Sequence, residues 1–160
     1  MAMDMWEPSR HTVRAHVPDA DAKIVFDTFH VLQHVGNAVD QVRKQEHRAL
    51  MAEGDTRLTR TKYAWLKNPA NFSAKAWRDF AALRTSTRQS ARAWAMKESL
   101  RRLWEYRYVG AARTFFRGWY GWAMRSRLEP MKKVARMLKA HLENILTYLT
   151  HRITNAVSSL

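Results

Sequence analysis

The chain contains no cysteine, which excludes disulfide staples, thiolate zinc sites and cysteine nucleophiles together. Only five glycines and four prolines are spread over 160 residues, and nowhere do they form the glycine-rich loop that cradles a phosphate. A GxSxG elbow and an HExxH pair are also missing. No apolar run approaches the roughly 20 residues that a membrane span requires. The opening MAMDMWEPSR places an acid where a secretory signal needs a basic and then an apolar stretch. Acidic residues are scarce as well: 14 Asp and Glu stand against 28 Lys and Arg, for a net charge of +14.

What is present is a globular composition. Hydrophobic residues make up 46% of the chain, with seven Trp and eight Met, far from the polar bias of a disordered segment. A compact chain of this length buries roughly 70% of its unfolded surface, so one real core is available. The isoelectric point near 10.8 draws the chain toward polyanions. Nucleic acid is the commonest of these, and each phosphate neutralised releases counterions. The sequence therefore reads as soluble and intracellular, with nucleic acid favoured over a merely soluble basic surface and no membrane partner.

The first thirty residues differ from the rest. Met1 to Trp6 is a short apolar run interrupted by Asp4, Pro8 can open a helix that runs toward Pro18, and AKIVFD at 22–27 is β-branched and aromatic. Strand, helix and strand in that order make an α/β fragment. Beyond it the reading is helical. Val31, Val35, Ala38 and Val42 predict an amphipathic helix over 30–52, ended near Gly54. A second helix is predicted over 56–67, stopped by NPANFS, and Ser73 is placed to cap a third that carries Trp77 and Phe80. A longer helix is predicted over 87–108, with Met96, Leu100 and Leu103 on one face. The next segment puts Phe115, Trp119 and Trp122 together. Pro130 begins a last helix whose stripe runs through Met131, Val134, Leu138, Leu142, Ile145 and Leu149. The expected fold class is α+β, predominantly helical.

Three constellations carry chemistry. Asp4 lies in an apolar run, where an acid is costly unless it reaches a strand tip or a cation; the other reading is a solvated acid near a terminus. Asp27 and His30 are spaced to hydrogen bond, and His34 stands one helical turn further on, so the histidines could face a metal. The competing reading is a histidine that caps a strand-to-helix turn. The stretch from Trp94 to Arg127 interleaves aromatics with arginines, as in surfaces that stack on bases and grip phosphates. Its aromatics sit at core spacing, so the cations are the expected DNA contacts: Arg43, Lys44, Arg101, Arg102, Arg107, Arg113, Arg117, Arg125, Arg127, Lys132 and Lys133. A basic amphipathic helix lying on a membrane surface, over 130–150, fits less well because its apolar stripe is built for a core.

The run MDMWEPSRHTVRAHVPDADAKIVFDTFHVLQHVGNAVDQVRKQEHR, with YAWLKNPANFS, AMKESLRRLWEY and the final HRITNAVSSL, resembles the central and C-terminal part of the transposases of the ISL-three type of bacterial insertion sequence. The resemblance covers essentially the whole chain. It implies a DDE-type catalytic core with a ribonuclease-H-like fold, interrupted by a helical insertion. It also implies three carboxylates that hold two divalent metals, usually Mg2+, for in-line attack on a phosphodiester. Matched position by position, Asp4 corresponds to the second catalytic aspartate and so to a metal ligand. Asp27 and His30 correspond to a supporting DxxH element. The implied division is a partial core at 1–30, the helical insertion at 31–153 and the start of the last catalytic helix at 154–160. The first aspartate lies upstream in the family. The third carboxylate, a glutamate a few residues after ITN, is replaced here by Ser159. The family's zinc and helix-turn-helix parts also precede this region. The resulting expectation is a truncated transposase that retains DNA binding, holds Mg2+ weakly and has lost catalysis. The alternative is an independent basic helical protein that binds DNA or modulates an intact transposase by mixed assembly, possible partners being DNA, a second copy or that transposase.

Overall fold

A computed structural model describes residues 26–158, with side chains through Asn155. Asp4, the run Met1 to Trp6, the helix after Pro8 and residues 22–25 of the expected strand lie outside the described residues, as does Ser159. Of the expected strand, only Phe26 and Asp27 are described, and neither is extended in a sheet. Asp27 is instead the N-cap of the first helix. Among the described residues there is no strand.

The body is a set of helices around one of them. Helix α1 (Thr28–Ala52) buries Val31, Val35, Val39 and Val42. That spacing of three and four residues makes a continuous apolar stripe on a 3.6-residue helix. α1 ends at Glu53, followed by Gly54 at φ 79, a left-handed conformation that glycine adopts without steric cost. The short α2 (Lys62–Leu66) follows, then a 3₁₀ turn at Pro69–Asn71. α3 spans Ala74–Thr85 and α4 spans Gln89–Leu100, the latter tightening into a 3₁₀ segment at Arg101–Glu105. α5 (Val109–Met124), α6 (Glu129–Ala140) and α7 (Leu142–Ser158) complete the chain. α1 packs mainly against α4 and α6, and α5 packs against α4, α6 and α7. The buried apolar residues form one cluster from Phe26 to Leu149. Each large side chain removed from water there contributes about 1.5–3 kcal/mol.

Four segments differ from the sequence reading. The helix expected over 56–67 is confined to α2, because residues 56–61 form turns that include Arg60 at φ 59. Those turns drop Leu58 fully into the core. The helix expected over 87–108 changes pitch at Arg101. In a three-residue turn, side chains at i and i+3 eclipse, and Leu100 and Leu103 are both buried. On α5 the inward face is Ala112, Phe116, Trp119 and Ala123. Phe115 packs to the side on Tyr106, with centroids 5.4 Å apart, and Trp122 is 38% exposed. Two small alanines thus share the inward face with Phe116 and Trp119. Finally, the single helix expected from Pro130 breaks at His141. The buried His141 ring lies 5.5 Å from Phe26. The apolar stripe stays in register across the break, which is why the pattern alone does not reveal it.

Candidate nucleic-acid interface

Charge placement follows from these helices. Asp40 and Arg43 face inward from the same side of α1, and both are buried. Arg43 Nε donates to Asp40 Oδ1 at 2.9 Å, and its guanidinium also donates to the Leu58 carbonyl at 3.4 Å. Lys44 Nζ and Lys62 Nζ add to the same carboxylate at 3.5 and 3.9 Å. Arg43 therefore has no surface to offer DNA. It anchors the loop that carries Leu58. Lys44 remains open to solvent, with its side chain 54% exposed.

The other cations expected to meet DNA fall into two groups. Arg102, Arg107, Arg117, Arg125, Arg127 and Lys133 are exposed. Arg101, Arg113 and Lys132 are half-buried and paired. Arg101 Nε donates to Glu98 Oε1 at 2.8 Å, and Lys132 Nζ to Glu129 Oε1 at 3.1 Å. Arg113 grips Glu143 with two nitrogens, one of them 3.3 Å from Oε2. That guanidinium holds the Glu143 carboxyl below its ordinary value. Further exposed cations at Arg48, Arg60, Lys67, Arg78, Arg136 and Lys139 escaped the sequence reading because helical registers alone did not separate them from paired ones.

Part of the aromatic set behaves as core, whereas Tyr108 and Trp122 stay exposed. Trp94, Trp104, Phe116 and Trp119 are buried, and Trp119 Nε1 donates to the Met96 carbonyl at 2.9 Å. Arg84 is drawn into this set. Its guanidinium lies 4.2 Å from the Trp94 ring centroid, 4.7 Å from Trp77 and 5.1 Å from Phe80. Lys97 is buried too, donating to the Trp65 carbonyl at 2.6 Å and lying 3.3 Å from Glu98. Burial pushes its ammonium below the ordinary lysine value, and the Glu98 carboxylate acts against that.

Asp27 and His30 are brought together. Asp27 Oδ1 accepts from the His30 backbone amide and pairs with His30 Nδ1, both at 2.8 Å. The carboxylate thus satisfies one free amide of the helix end and orients the imidazole. Among the described residues, no group of three or more His, Asp or Glu side chains is placed to hold a metal ion. His30 and His34 thus belong to no such group, and Asp4, the ligand that the resemblance implies, lies outside the described residues.

Clefts on the surface of the described residues include the following. One of about 630 Å³ at the start of α1 is lined by Phe29, Leu32, Gly36, Lys97 and Arg101, among others. A second, about 340 Å³, gathers Arg88, Arg92 and Arg127 around Glu46. A third, about 360 Å³, lies where α5 meets the junction of α6 and α7, and is lined by Arg113, Phe116, Arg117, Tyr120, Lys139 and Leu142. No described helix is long and apolar enough to cross a membrane.

The transposase for insertion sequence element IS1001 of Bordetella parapertussis is 26% identical over 160 residues, a match that covers 98% of this chain and 39% of that protein. The chain thus spans less than half the length of this relative. No solved structure matches it. A family model described as a transposase, the DDE type of ISL-three insertion sequences, matches residues 1–158. With the match running through nearly every residue, the chain belongs to the ISL-three-type DDE transposase family.

Proposed function

We propose that these 160 residues are the insertion-bearing portion of a DNA transposase and that they bind DNA through its backbone. The observation that carries this reading is the family match over residues 1–158, and the net charge of +14 supports it. In the whole protein, the activity is metal-dependent cleavage and transfer of DNA strands during transposition of an insertion sequence. Residues 1–30 supply part of the ribonuclease-H-like core, residues 31–153 the helical insertion, and residues 154–160 the start of the last catalytic helix. Asp4 serves as a catalytic, Mg2+-binding carboxylate, with Asp27 and His30 as supporting residues.

The DNA contacts are assigned to cations whose side chains reach solvent: Lys44, Arg102, Arg107, Arg117, Arg125, Arg127 and Lys133. Arg101, Arg113 and Lys132 contribute when their carboxylate partners yield. Phosphate contacts of this kind position a protein on DNA without reading sequence. Of the three carboxylates the resemblance implies, residues 1–160 contain Asp4 alone. By themselves they hold Mg2+ weakly and neither cut nor join DNA.

The test is fluorescence anisotropy of labelled duplexes of unrelated sequence, titrated at several salt concentrations. Tight binding that ignores sequence and falls steeply with salt is the expected result, and absence of binding at low salt sinks the reading. Strand transfer by the same preparation with magnesium or manganese would refute the loss of catalysis. A second reading, an independent basic helical protein that modulates an intact transposase, draws on the single continuous core of the described residues. A cooperative thermal transition supports it and a broad one counts against it.

A further inference from the structure

We propose that the cleft between α5 and the α6–α7 junction is a phosphodiester subsite, in which Arg117 and Lys139 hold one DNA backbone phosphate and Arg113 joins them by leaving Glu143. This assignment rests on the DNA-binding reading above. The cleft is built from one face of α5, because Arg113, Phe116, Arg117 and Tyr120 recur at the three- and four-residue spacing that aligns side chains on a helix. Lys139, from the last turn of α6, and Leu142, the first residue of α7, close the opposite wall. Among the described residues three cations and no carboxylate line a volume of about 360 Å³, with Glu143 held on Arg113. The cleft around Arg88, Arg92 and Arg127 differs in this respect, since the Glu46 carboxylate sits within it.

The cleft is also ordered from below. Phe116 is buried, and its ring lies 6.2 Å from that of Tyr120. Lys139 Nζ stands 4.7 Å over the Tyr120 ring, which fixes the ammonium at the cleft wall. An apolar, aromatic floor lowers the local dielectric and strengthens attraction between these cations and an anion. Lys139 lies over the Tyr120 ring, so the cleft presents its charge to a phosphate.

Glu143 reveals what Arg113 is shaped to take. Arg113 meets it with two guanidinium nitrogens on two carboxylate oxygens, the same fork geometry with which arginine grips a phosphate. The pair faces solvent, with side chains 39% and 73% open, so it contributes little to stability. A backbone phosphate can replace Glu143 at small cost, and Glu143 then acts as a competitor of DNA.

The experiment is duplex binding by anisotropy against salt for the wild type, Arg117→Ala/Lys139→Ala, Glu143→Gln and the distant control Lys75→Ala. Thermal melting checks that each is folded, and Arg117→Ala alone serves if the double variant melts early. The salt slope of the double variant should fall by about 0.9 for each phosphate it no longer neutralises, with Lys75→Ala unchanged. Glu143→Gln should tighten binding about two- to fivefold at low salt. A double variant with the wild-type slope overturns the subsite, as does a Glu143→Gln variant that binds more weakly. Inorganic phosphate, tested as competitor at constant ionic strength, separates the sources. If the double variant abolishes competition by free phosphate yet keeps the DNA slope, the cleft is a free-anion site and the proposal fails. A wild type that binds no DNA at all refutes the underlying reading, a result distinguishable from failure of the cleft.

Discussion

Glu46 on α1 closes the N-terminus of α4: its Oε1 accepts the Ser90 amide at 2.8 Å, while Oε2 accepts from Arg88 and Gln89 at 2.9 and 3.2 Å. The α4 N-cap, Arg88, makes no side-chain cap bond of its own, so a carboxylate from another helix serves the free amides that every helix start presents. A negative charge at that end also complements the helix dipole. Burial by itself raises the Glu46 pKa. Hydrogen bonding from Ser90 and from the amides of Arg88, Ser90 and Gln89 outweighs it, and the net effect is a lowered value. A carboxyl with a depressed folded pKa binds fewer protons folded than unfolded, so its contribution is present above the unfolded value of 4.5 and is lost as pH falls through the lower folded value. Glu46→Gln should destabilise the protein by about 1–2 kcal/mol at neutral pH. The gap from wild type should narrow below the ordinary carboxyl range. Denaturant melts at several pH values measure it, and a gap that widens in acid would contradict the assignment.

Arg43 and the pair Arg102 with Arg107 should separate stability from binding. Arg43→Ala removes the closest partner of a buried Asp40 and the bond to Leu58. The loss should be about 2–4 kcal/mol, moderated by Lys44 and Lys62 nearby. The salt slope of DNA binding should stay as in the wild type. Arg102→Ala/Arg107→Ala should do the reverse, because both side chains are exposed: an unchanged melting temperature and a shallower slope. If Arg43→Ala lowers the slope while leaving stability intact, the buried assignment is wrong.

The contrast marks what a sequence can say about such a surface. Val31, Val35 and Val42 are legible because burial follows helical periodicity, and Ser73 because its Oγ caps locally, accepting the Ala76 amide at 3.1 Å. Gly54 is legible because a positive φ favours glycine. Arg43 is not, since what buries it is Leu58, fifteen residues away in an irregular turn. Nor is Glu46, whose partners lie forty-two to forty-four residues further on. On α5 aromatic bulk points to Phe115 as the inward residue, whereas Ala112 and Ala123 share the inward face with Phe116. Net charge indicates a polyanion partner, but which cations remain outward is decided by tertiary pairing. The cleft of Arg113, Arg117 and Lys139 joins residues of two helices and is legible only once α6 breaks at His141.

Arg84 tests whether a guanidinium is used here as packing. It lies against the rings of Trp77, Phe80 and Trp94, and its Nε is buried without a hydrogen-bond partner. Burial lowers its pKa. Contact area and ring electrostatics therefore outweigh hydrogen bonding at this site. Arg84→Ala should cost about 1–2 kcal/mol, and Arg84→Lys about 1 kcal/mol because an ammonium cannot stack flat. Arg84→Met should lie nearer the wild type, since it keeps the stem and removes the unsatisfied nitrogen. Thermal melts followed by tryptophan fluorescence give the order. An alanine variant as stable as the wild type would remove the packing role.

Asp27 separates a structural role from a catalytic one. As an N-cap it needs only an acceptor at Oδ1, which asparagine supplies, since Asn and Asp cap comparably. Asp27→Asn should therefore keep the stability of the chain within a few tenths of a kcal/mol, whereas Asp27→Ala should cost about 1 kcal/mol. The pairing to His30 Nδ1 responds differently, because an amide orients an imidazole without the charge that favours its N–H toward the carboxylate. If the pair supports transposition in the whole protein, Asp27→Asn in the full-length transposase should lower activity while this helix stays as stable as before. Loss of stability together with activity would reduce the pair to a cap. Intact stability with unimpaired transposition would remove Asp27 from the supporting machinery altogether.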